Sequence, residues 1–145
     1  MPVRTAEALW EGTLMNGQGV MKVKSGVLQS PYNAAMRFQD QPGTNPEELI
    51  GAAHAGCFSM QFAHLLAQSG FTAKQIHTRS RVHIEKEERG FSITKIDLFT
   101  EATVPGISDE LFQEQAKSAK KSCPVSKALS VPITLEATLK SESRQ

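Results

Sequence analysis

Two cysteines are the only thiols in this 145-residue chain, and each lies in a setting that could support redox chemistry. Cys57 lies within an apolar stretch rich in small residues, and Cys123 directly precedes Pro124. A thiolate reduces a peroxide by attacking one of its oxygens, and a second thiol can condense with the resulting sulfenic acid. Two thiols at unlike positions, far apart in sequence, therefore favour a peroxide-reducing dithiol over a structural bridge.

A polar stripe accompanies Cys57 on its predicted helix. His54, Cys57, Gln61 and His64 follow one another at intervals of three, four and three residues, which places them on one helix face. His54 could polarise the thiol, although a satisfied interior histidine and a small core cysteine are the simpler interpretations. A metal site formed by His54, Cys57 and His64 would lack a fourth ligand and any paired-cysteine motif.

Cys123 is predicted to lie at the break between two helices. Pro124 biases the residue before it towards an extended conformation and suits the first position of a new helical turn. Helix-start amides, together with Lys120 and Lys121, would favour a thiolate there. The alternative is that Cys123-Pro124 only ends the preceding helix.

Composition limits the classes of function. A chain of 145 residues, 39% of them hydrophobic, is long enough for one domain with a core. A net charge of +1 argues against a nucleic-acid partner, which needs a concentrated excess of Lys and Arg. No secretory signal is apparent at the N-terminus, and two cysteines then indicate the reducing cytoplasm. Residues 49–67 could span a bilayer by length, but the histidines and other polar groups within them argue against a membrane span.

The longest predicted element is a helix from Pro46 to about Ser69. Asn45 can cap it, Glu48 lies three residues after the cap as in a capping box, and Gly70 suits a left-handed stop. The helix is apolar nearly all round, so we expect it to be buried at the centre of the molecule.

The remaining elements are mostly strands. The order β-β-β-α-β-β-α-α-β predicts an α+β fold, with antiparallel sheet around the long buried central helix. We expect one domain over residues 1–140 and a flexible C-terminal tail at 141–145. The other predicted elements are short extended runs near residues 6–10, 20–24 and 33–39, long strands at 76–85 and 91–104 with a β-bulge near Thr94 or Lys95, helices from Asp109 and from Pro124, and a strand at 133–139.

Several motifs resemble the OsmC family, the osmotically inducible proteins. The stretch from Gly43 to Met60, which contains Cys57, is similar to the family's first cysteine motif. The resemblance covers the chain apart from residues 141–145. Its other segments, in the expected order, are Trp10-Glu-Gly12, Ser25-Gly-Val-Leu28, Pro31-Tyr32, Phe91-Ser-Ile-Thr-Lys-Ile96, Val104-Pro-Gly-Ile107 and Cys123-Pro-Val-Ser-Lys127.

The resemblance implies a thiol-dependent peroxidase of the OsmC/Ohr superfamily, which reduces organic hydroperoxides to alcohols. It implies that Cys57 is the peroxidatic cysteine and Cys123 the resolving one. Arg37 falls at the family's catalytic arginine and Glu47 at the carboxylate that pairs with it. The Arg37 guanidinium would then supply a cation for the Cys57 thiolate, and Glu47 would hold that cation in place.

The resemblance also implies the assembly and the partners. The family forms interwound homodimers with two active sites and uses no metal or prosthetic group. The histidine at position 54 resembles the OsmC branch of the superfamily, because the Ohr branch typically has tyrosine at that position. The implied partners are an organic hydroperoxide and a dithiol reductant, for which a lipoylated protein is the candidate because dihydrolipoyl proteins serve the Ohr branch.

Glu47 and Cys57 lie ten residues apart on one predicted helix. Ten residues correspond to about 15 Å along the axis and to directions about 80° apart around it. Either the helix breaks near Gly51, or Glu47 acts on the cysteines of a partner chain. We favour the second alternative, with Arg37 and Glu47 given by one subunit and both cysteines by the other.

Two other functional hypotheses remain open on the sequence. In the first, an apolar pocket binds a lipid-like ligand and the thiols sense oxidation once, without turnover. In the second, the chain is a structural stress protein whose core thiols are inert. Peroxide turnover distinguishes an enzyme from a sensor, and the reactivity of Cys57 with a thiol probe distinguishes both from the inert protein.

Overall fold

The computed structural model describes residues 2–141, which form two compact units that meet in sequence between Leu49 and Ile50. The predicted α+β class is confirmed, with a three-stranded sheet in each unit. The expectation of one domain stays a prediction. Of the predicted flexible tail, only Ser141 is among the described residues, and residues 142–145 lie outside them.

The first unit contains an antiparallel sheet of β1 (Ala6–Glu11), β2 (Gln18–Val23) and β3 (Gln29–Tyr32). The third strand precedes the segment 33–39 that was predicted to be extended, and that prediction is wrong. A short helix, α1 (Ala34–Phe38), takes its place. Its cause is local, because the Asn33 side chain accepts a hydrogen bond of 2.9 Å from the Met36 amide and caps the turn.

The helix α2 (Pro46–Gln68) begins as predicted and continues without a break. The Asn45 side chain accepts from the Glu48 amide at 2.7 Å, as an N-cap should. The Glu48 carboxylate accepts from the Thr44 hydroxyl at 2.8 Å, an interaction that the capping-box pattern did not anticipate. Gly70, with φ of +92°, lies in the left-handed region just beyond the helix.

The second unit contains a mixed sheet of β4 (Gln75–Glu87), β5 (Gly90–Thr103) and β6 (Ile133–Lys140). The β4–β5 pair is antiparallel, and Thr94 is the extra residue of the predicted bulge because His83 pairs with Lys95 and Ile84 with Ile93. β6 runs parallel to β5, so the sheet is not wholly antiparallel as expected.

A crossover of two helices makes this parallel pairing possible. α3 (Asp109–Ser122) and α4 (Pro124–Ala128) connect β5 to β6, and parallel strands need a connection of this length. Ser108 caps α3 by accepting from the Leu111 amide at 3.2 Å. The two helices meet at Cys123, so the crossover also determines where that residue lies in the second unit.

The core of the second unit lies between α2, β5 and α3. The Phe62 ring packs against those of Phe58 and Phe112, with centroids 5.6 and 5.2 Å away. These three rings are fully buried, and such aromatic pairs stabilise a core beyond the area they bury. The other side chains buried here include Leu66, Ile96, Leu98, Ala102, Ala116 and Ala119.

Burial of α2 differs from the sequence expectation in one respect. Phe58, Phe62 and Leu66 are buried, but the opposite apolar face is exposed in the single chain. Met60, on that face, is 78% exposed. α2 has the length and mean hydropathy of a membrane span, but the core helix of a soluble protein has the same properties. The exposed face consists mainly of small residues: Ala52, Ala53, Gly56, Ala63 and Ala67.

Candidate active site

The two cysteines lie in contact, although 66 residues separate them. Both are free thiols, and Cys123 Sγ donates a hydrogen bond of 2.8 Å to Cys57 Sγ. Cys123 is fully buried, whereas Cys57 is partly exposed. The disulfide S–S bond is about 2.05 Å long, so the sulfurs need to approach by less than about 1 Å to form one. The two thiols therefore lie within reach of one another, as a disulfide between them would require.

The local sequence places Cys123 at a junction between helices. Its amide donates to the Ala119 carbonyl at 2.9 Å and so ends α3, while its carbonyl accepts from the Lys127 amide at 3.0 Å and so begins α4. Its φ and ψ of −59° and 125° are non-helical, as the following Pro124 requires. The Lys120 ammonium, predicted to favour a thiolate here, donates to the Ile133 carbonyl at 3.2 Å instead.

Electrostatics around Cys57 favour the neutral thiol. Burial raises its pKa above the ordinary value, and the hydrogen bond with Cys123 raises it further. The Val125 backbone amide, in the first turn of α4, hydrogen-bonds to Cys57 and acts in the opposite direction. Since the causes that raise the pKa dominate, a reactive thiolate at Cys57 needs a further cation.

Hydrogen bonds flank the cysteine pair on both sides. Nε2 of His54 lies 2.7 Å from the Ser126 hydroxyl, and the Gln61 amide donates to the Ser122 hydroxyl at 2.8 Å. Burial lowers the pKa of His54, so its imidazole is neutral at pH 7. Its Nδ1 is one of two buried polar side-chain atoms without a hydrogen-bond partner among residues 2–141.

The sequence interpretation identified His54 and Gln61 but missed the two serines. The signal that could have found them is the spacing around Cys123, with one serine immediately before it and another three residues after it. His64, the fourth member of the predicted polar stripe, is exposed. Within the described part of the chain, no group of three His, Cys, Asp or Glu side chains is placed to hold a metal ion.

The first unit contains the other two predicted site residues, Arg37 and Glu47, in direct contact. Nε of Arg37 lies 3.1 and 3.2 Å from the two carboxylate oxygens of Glu47, and Nη2 donates to Oε2 at 2.8 Å. The Glu47 side chain is 9% exposed and that of Arg37 34%. The bond with Glu47 raises the Arg37 pKa above its ordinary value. This arrangement holds a permanent cation in a fixed, half-exposed position.

The backbone around this ion pair is fixed by two connected features. Arg37 lies in the last turn of α1, and Glu47 is the second residue of α2. The Asn45 side-chain amide donates to the Met36 carbonyl at 2.9 Å and ties the start of α2 to α1. The guanidinium also lies over the Phe38 ring, 5.1 Å from its centroid.

A groove of about 270 Å³ lies beside Arg37 in the first unit. Trp10 and Tyr32 form one side of it, with ring centroids 5.2 Å apart. The large apolar side chains next to Cys57 on α2 are divided, because Phe58 and Phe62 lie in the core and Met60 is exposed. The groove is lined by Trp10, Leu14, Tyr32, Asn33, Ala34 and Arg37.

Known proteins resemble this chain in sequence and in fold. The family model for OsmC-like proteins matches residues 38–137. Peroxiredoxin OsmC of Escherichia coli is 48% identical over 139 residues, which cover 95% of this chain and 97% of that protein. The organic hydroperoxide resistance protein OhrB of Bacillus subtilis is 27% identical over 103 residues, covering 70% of this chain and 74% of that one.

Solved structures agree with the sequence comparisons. The crystal structure of OhrB from Bacillus subtilis matches with a TM-score of 0.67, at 27% identity, over 94% of this chain and 98% of that one. An OsmC-like protein of unknown function from Vibrio cholerae has a TM-score of 0.76 at 16% identity, over 94% and 99% of the two chains. On the family model and the E. coli relative together, this chain belongs to the OsmC-like protein family.

Proposed function

We propose that this protein is a thiol-dependent peroxidase that reduces organic hydroperoxides to alcohols. The observation that carries the proposal is the contact of 2.8 Å between the thiols of Cys57 and Cys123. Cys57 is the more exposed of the two and can meet a peroxide, whereas Cys123 is buried behind it. Cys57 is then the peroxidatic residue and Cys123 the resolving one. The names of the relatives, a peroxiredoxin and organic hydroperoxide resistance proteins, support the same chemistry.

The reaction has three balanced steps. The Cys57 thiolate attacks one peroxide oxygen, the O–O bond breaks, and the alkoxide takes a proton to leave as the alcohol, with Cys57 now a sulfenic acid. The Cys123 sulfur then attacks the Cys57 sulfur, the S–O bond breaks, and the hydroxyl leaves as water with the Cys123 proton. An external dithiol reduces the Cys57–Cys123 disulfide by exchange and is itself oxidised to a disulfide.

The Arg37–Glu47 ion pair is the proposed source of the cation that Cys57 needs. A guanidinium is always charged, and the bidentate contact with Glu47 fixes its direction. The continuity of α2 past Gly51 supports the alternative in which a partner subunit supplies this ion pair. Each active site would then take Arg37 and Glu47 from one subunit and both cysteines from the other.

A homodimer also gives a role to the exposed face of α2. An exposed apolar stripe of small residues is unusual for a monomer and suits close packing against another helix. The proposed reductant is a dithiol, with a lipoylated protein as the candidate. The proposed location is the cytoplasm, where two free thiols stay reduced between turnovers.

The groove beside Arg37 supports an organic substrate over hydrogen peroxide. Trp10 and Leu14 offer an apolar surface to the carbon chain of a hydroperoxide. Hydrogen peroxide has no group that would gain from this contact. We therefore expect the kcat/KM for cumene hydroperoxide to exceed that for hydrogen peroxide.

The deciding experiment is steady-state consumption of cumene hydroperoxide with dihydrolipoamide as the reductant and the Cys57→Ser protein as the control. Sustained turnover in the wild type alone supports the peroxidase. Oxidation that stops after one equivalent would indicate the redox-sensing module instead. If Cys57 reacts neither with peroxide nor with a thiol probe, the result would favour the hypothesis of a structural stress protein with inert thiols.

A further inference from the structure

We propose that two hydrogen-bonded pairs, His54–Ser126 and Gln61–Ser122, form a clamp that positions Cys123 for the resolving step. This role rests on the proposed peroxidase function, because only a resolving cysteine needs to reach a sulfenic acid before a second peroxide oxidises it further. The four residues touch no reacting atom in this proposal. They are positioning residues that act through Cys123.

The clamp follows from the order of three contacts along two segments. On α2, His54, Cys57 and Gln61 lie at i, i+3 and i+7, which is one face of a helix. They contact Ser126, Cys123 and Ser122 in that order, at 2.7, 2.8 and 2.8 Å. The thiol contact is therefore enclosed between two hydrogen bonds that join the same two segments.

The junction between α3 and α4 needs such support. Cys123 interrupts the helical backbone with non-helical dihedral angles, so no continuous helix fixes its side chain. Ser122 is the last residue of α3 and Ser126 lies within α4, so the clamp holds both sides of the interruption. The Ser122 hydroxyl also donates to the Ser118 carbonyl at 2.8 Å, which fixes its direction towards Gln61.

The His54–Ser126 hydrogen bond constrains α4 strongly because both of its residues are buried. His54 is fully buried and Ser126 is 8% exposed, so each would be left without a partner if α4 moved away from α2. A buried polar group without a hydrogen bond is unfavourable, whereas apolar contacts tolerate small slips. The His54–Ser126 bond therefore sets the register of α4 against α2, and with it the reach of Cys123.

The chemical consequence concerns competition for the Cys57 sulfenic acid. Cys123 attacks it to form the disulfide and release water, while a second hydroperoxide oxidises it to sulfinic acid and leaves as alcohol. The outcome depends on the effective concentration of the Cys123 thiol at Cys57. Loss of one positioning pair should lower that concentration about tenfold, the range expected for one hydrogen bond.

The test compares variants that remove both partners of a pair and leave no orphaned group. His54→Leu/Ser126→Ala and Gln61→Leu/Ser122→Ala remove the two halves of the clamp. The control is Ser59→Ala, which removes a hydroxyl bond of 2.7 Å between α2 and β4 while Thr78, the partner on β4, keeps its bond with Thr100. His54→Gln is the rescue variant, because its amide can still reach Ser126.

Two measurements are made on each protein. The first is the equilibrium of the Cys57–Cys123 disulfide with reduced and oxidised glutathione, which gives the effective concentration of the thiols without any peroxide. The second is mass spectrometry after graded cumene hydroperoxide, which gives the ratio of disulfide to sulfinic acid. The clamp variants should lose about tenfold in both, with the control and His54→Gln within about twofold of the wild type.

Equal effective concentrations in wild type and clamp variants would overturn the proposal, as would an equal loss in the Ser59→Ala control. If a double variant fails to fold, Ser122→Ala alone serves, because Ser122 is half-buried, and the same criteria apply to it. If the wild type does not react with peroxide, the proposed function fails, and the glutathione equilibrium still decides the clamp.

Discussion

Glu47 lies at the start of the same helix that carries Cys57, but its carboxylate holds Arg37, ten residues earlier in the chain. The helix from Pro46 to Gln68 is continuous, so the break near Gly51 that the sequence left open is not found. The Arg37–Glu47 pair lies in the first unit and the Cys57–Cys123 pair in the second.

The first prediction separates the roles of the two cysteines. Cys57→Ser should abolish peroxide reduction, because a hydroxyl cannot form the sulfenic acid. Cys123→Ser should consume about one equivalent of cumene hydroperoxide to form the Cys57 sulfenic acid, and excess hydroperoxide should then oxidise this acid to sulfinic acid. Mass spectrometry of the quenched proteins measures both outcomes. Turnover in Cys57→Ser, or no intramolecular disulfide in the wild type after one equivalent of peroxide, would contradict this division.

The second prediction concerns the cation at Cys57. Arg37→Ala should shift the pH profile of Cys57 alkylation by iodoacetamide to higher pH, by about one to two pH units, since an adjacent guanidinium favours the thiolate. Glu47→Gln should produce a smaller shift, because the guanidinium keeps its charge but loses its bidentate partner. Glu48→Gln is the control, as this exposed carboxylate bonds to Thr44. An unchanged pH profile in Arg37→Ala would show that Arg37 does not stabilise the Cys57 thiolate.

The third prediction tests the division of one active site between two subunits. Chains with Cys57→Ser and chains with Glu47→Ala are each expected to be inactive or nearly so. When the two chains are unfolded and refolded together in equal amounts, about half of all dimers should be heterodimers, and each heterodimer holds one intact site. The mixture should regain about a quarter of the wild-type activity per chain. No regained activity in heterodimers verified by mass spectrometry, or an active monomer, would contradict the shared site.

The fourth prediction follows from the lowered pKa of His54. The folded protein binds its proton less readily than the unfolded chain, whose histidine has a pKa of about 6.5. Its contribution to stability is therefore constant above about pH 6.5 and is lost as the pH falls below that value, because the unfolded chain then binds more protons. His54→Gln should flatten the change in urea midpoint between about pH 7.5 and pH 5.

His64→Gln is the matched control for this fourth prediction, because His64 is an exposed histidine on the same helix. Its urea midpoints should follow the wild type across the pH range. If the urea midpoints of His54→Gln and His64→Gln change alike with pH, burial of His54 does not cause the loss of stability at low pH.

The start of α2, the bulge in β5 and the break at Cys123 could all be predicted from the sequence, because each follows from the local residue pattern. Asn45 and Pro46 specify a helix start, and Pro124 cannot continue the helix before it. The alternating apolar pattern wrongly predicted an extended segment at residues 33–39, because the Asn33 cap outweighs such a pattern in a short segment. The motifs around Cys57 and Cys123 were also sufficient to indicate the family.

Which groups meet depends on how the helices and strands pack together. Whether β6 pairs parallel to β5 depends on how the α3–α4 crossover packs, which no local signal specifies. The contact of Cys57 with Cys123 and the bonds of His54 and Gln61 to two serines each join residues at least 61 positions apart. Such contacts arise from the packing of helices against one another, so the serines carried no signal until the fold placed them beside α2.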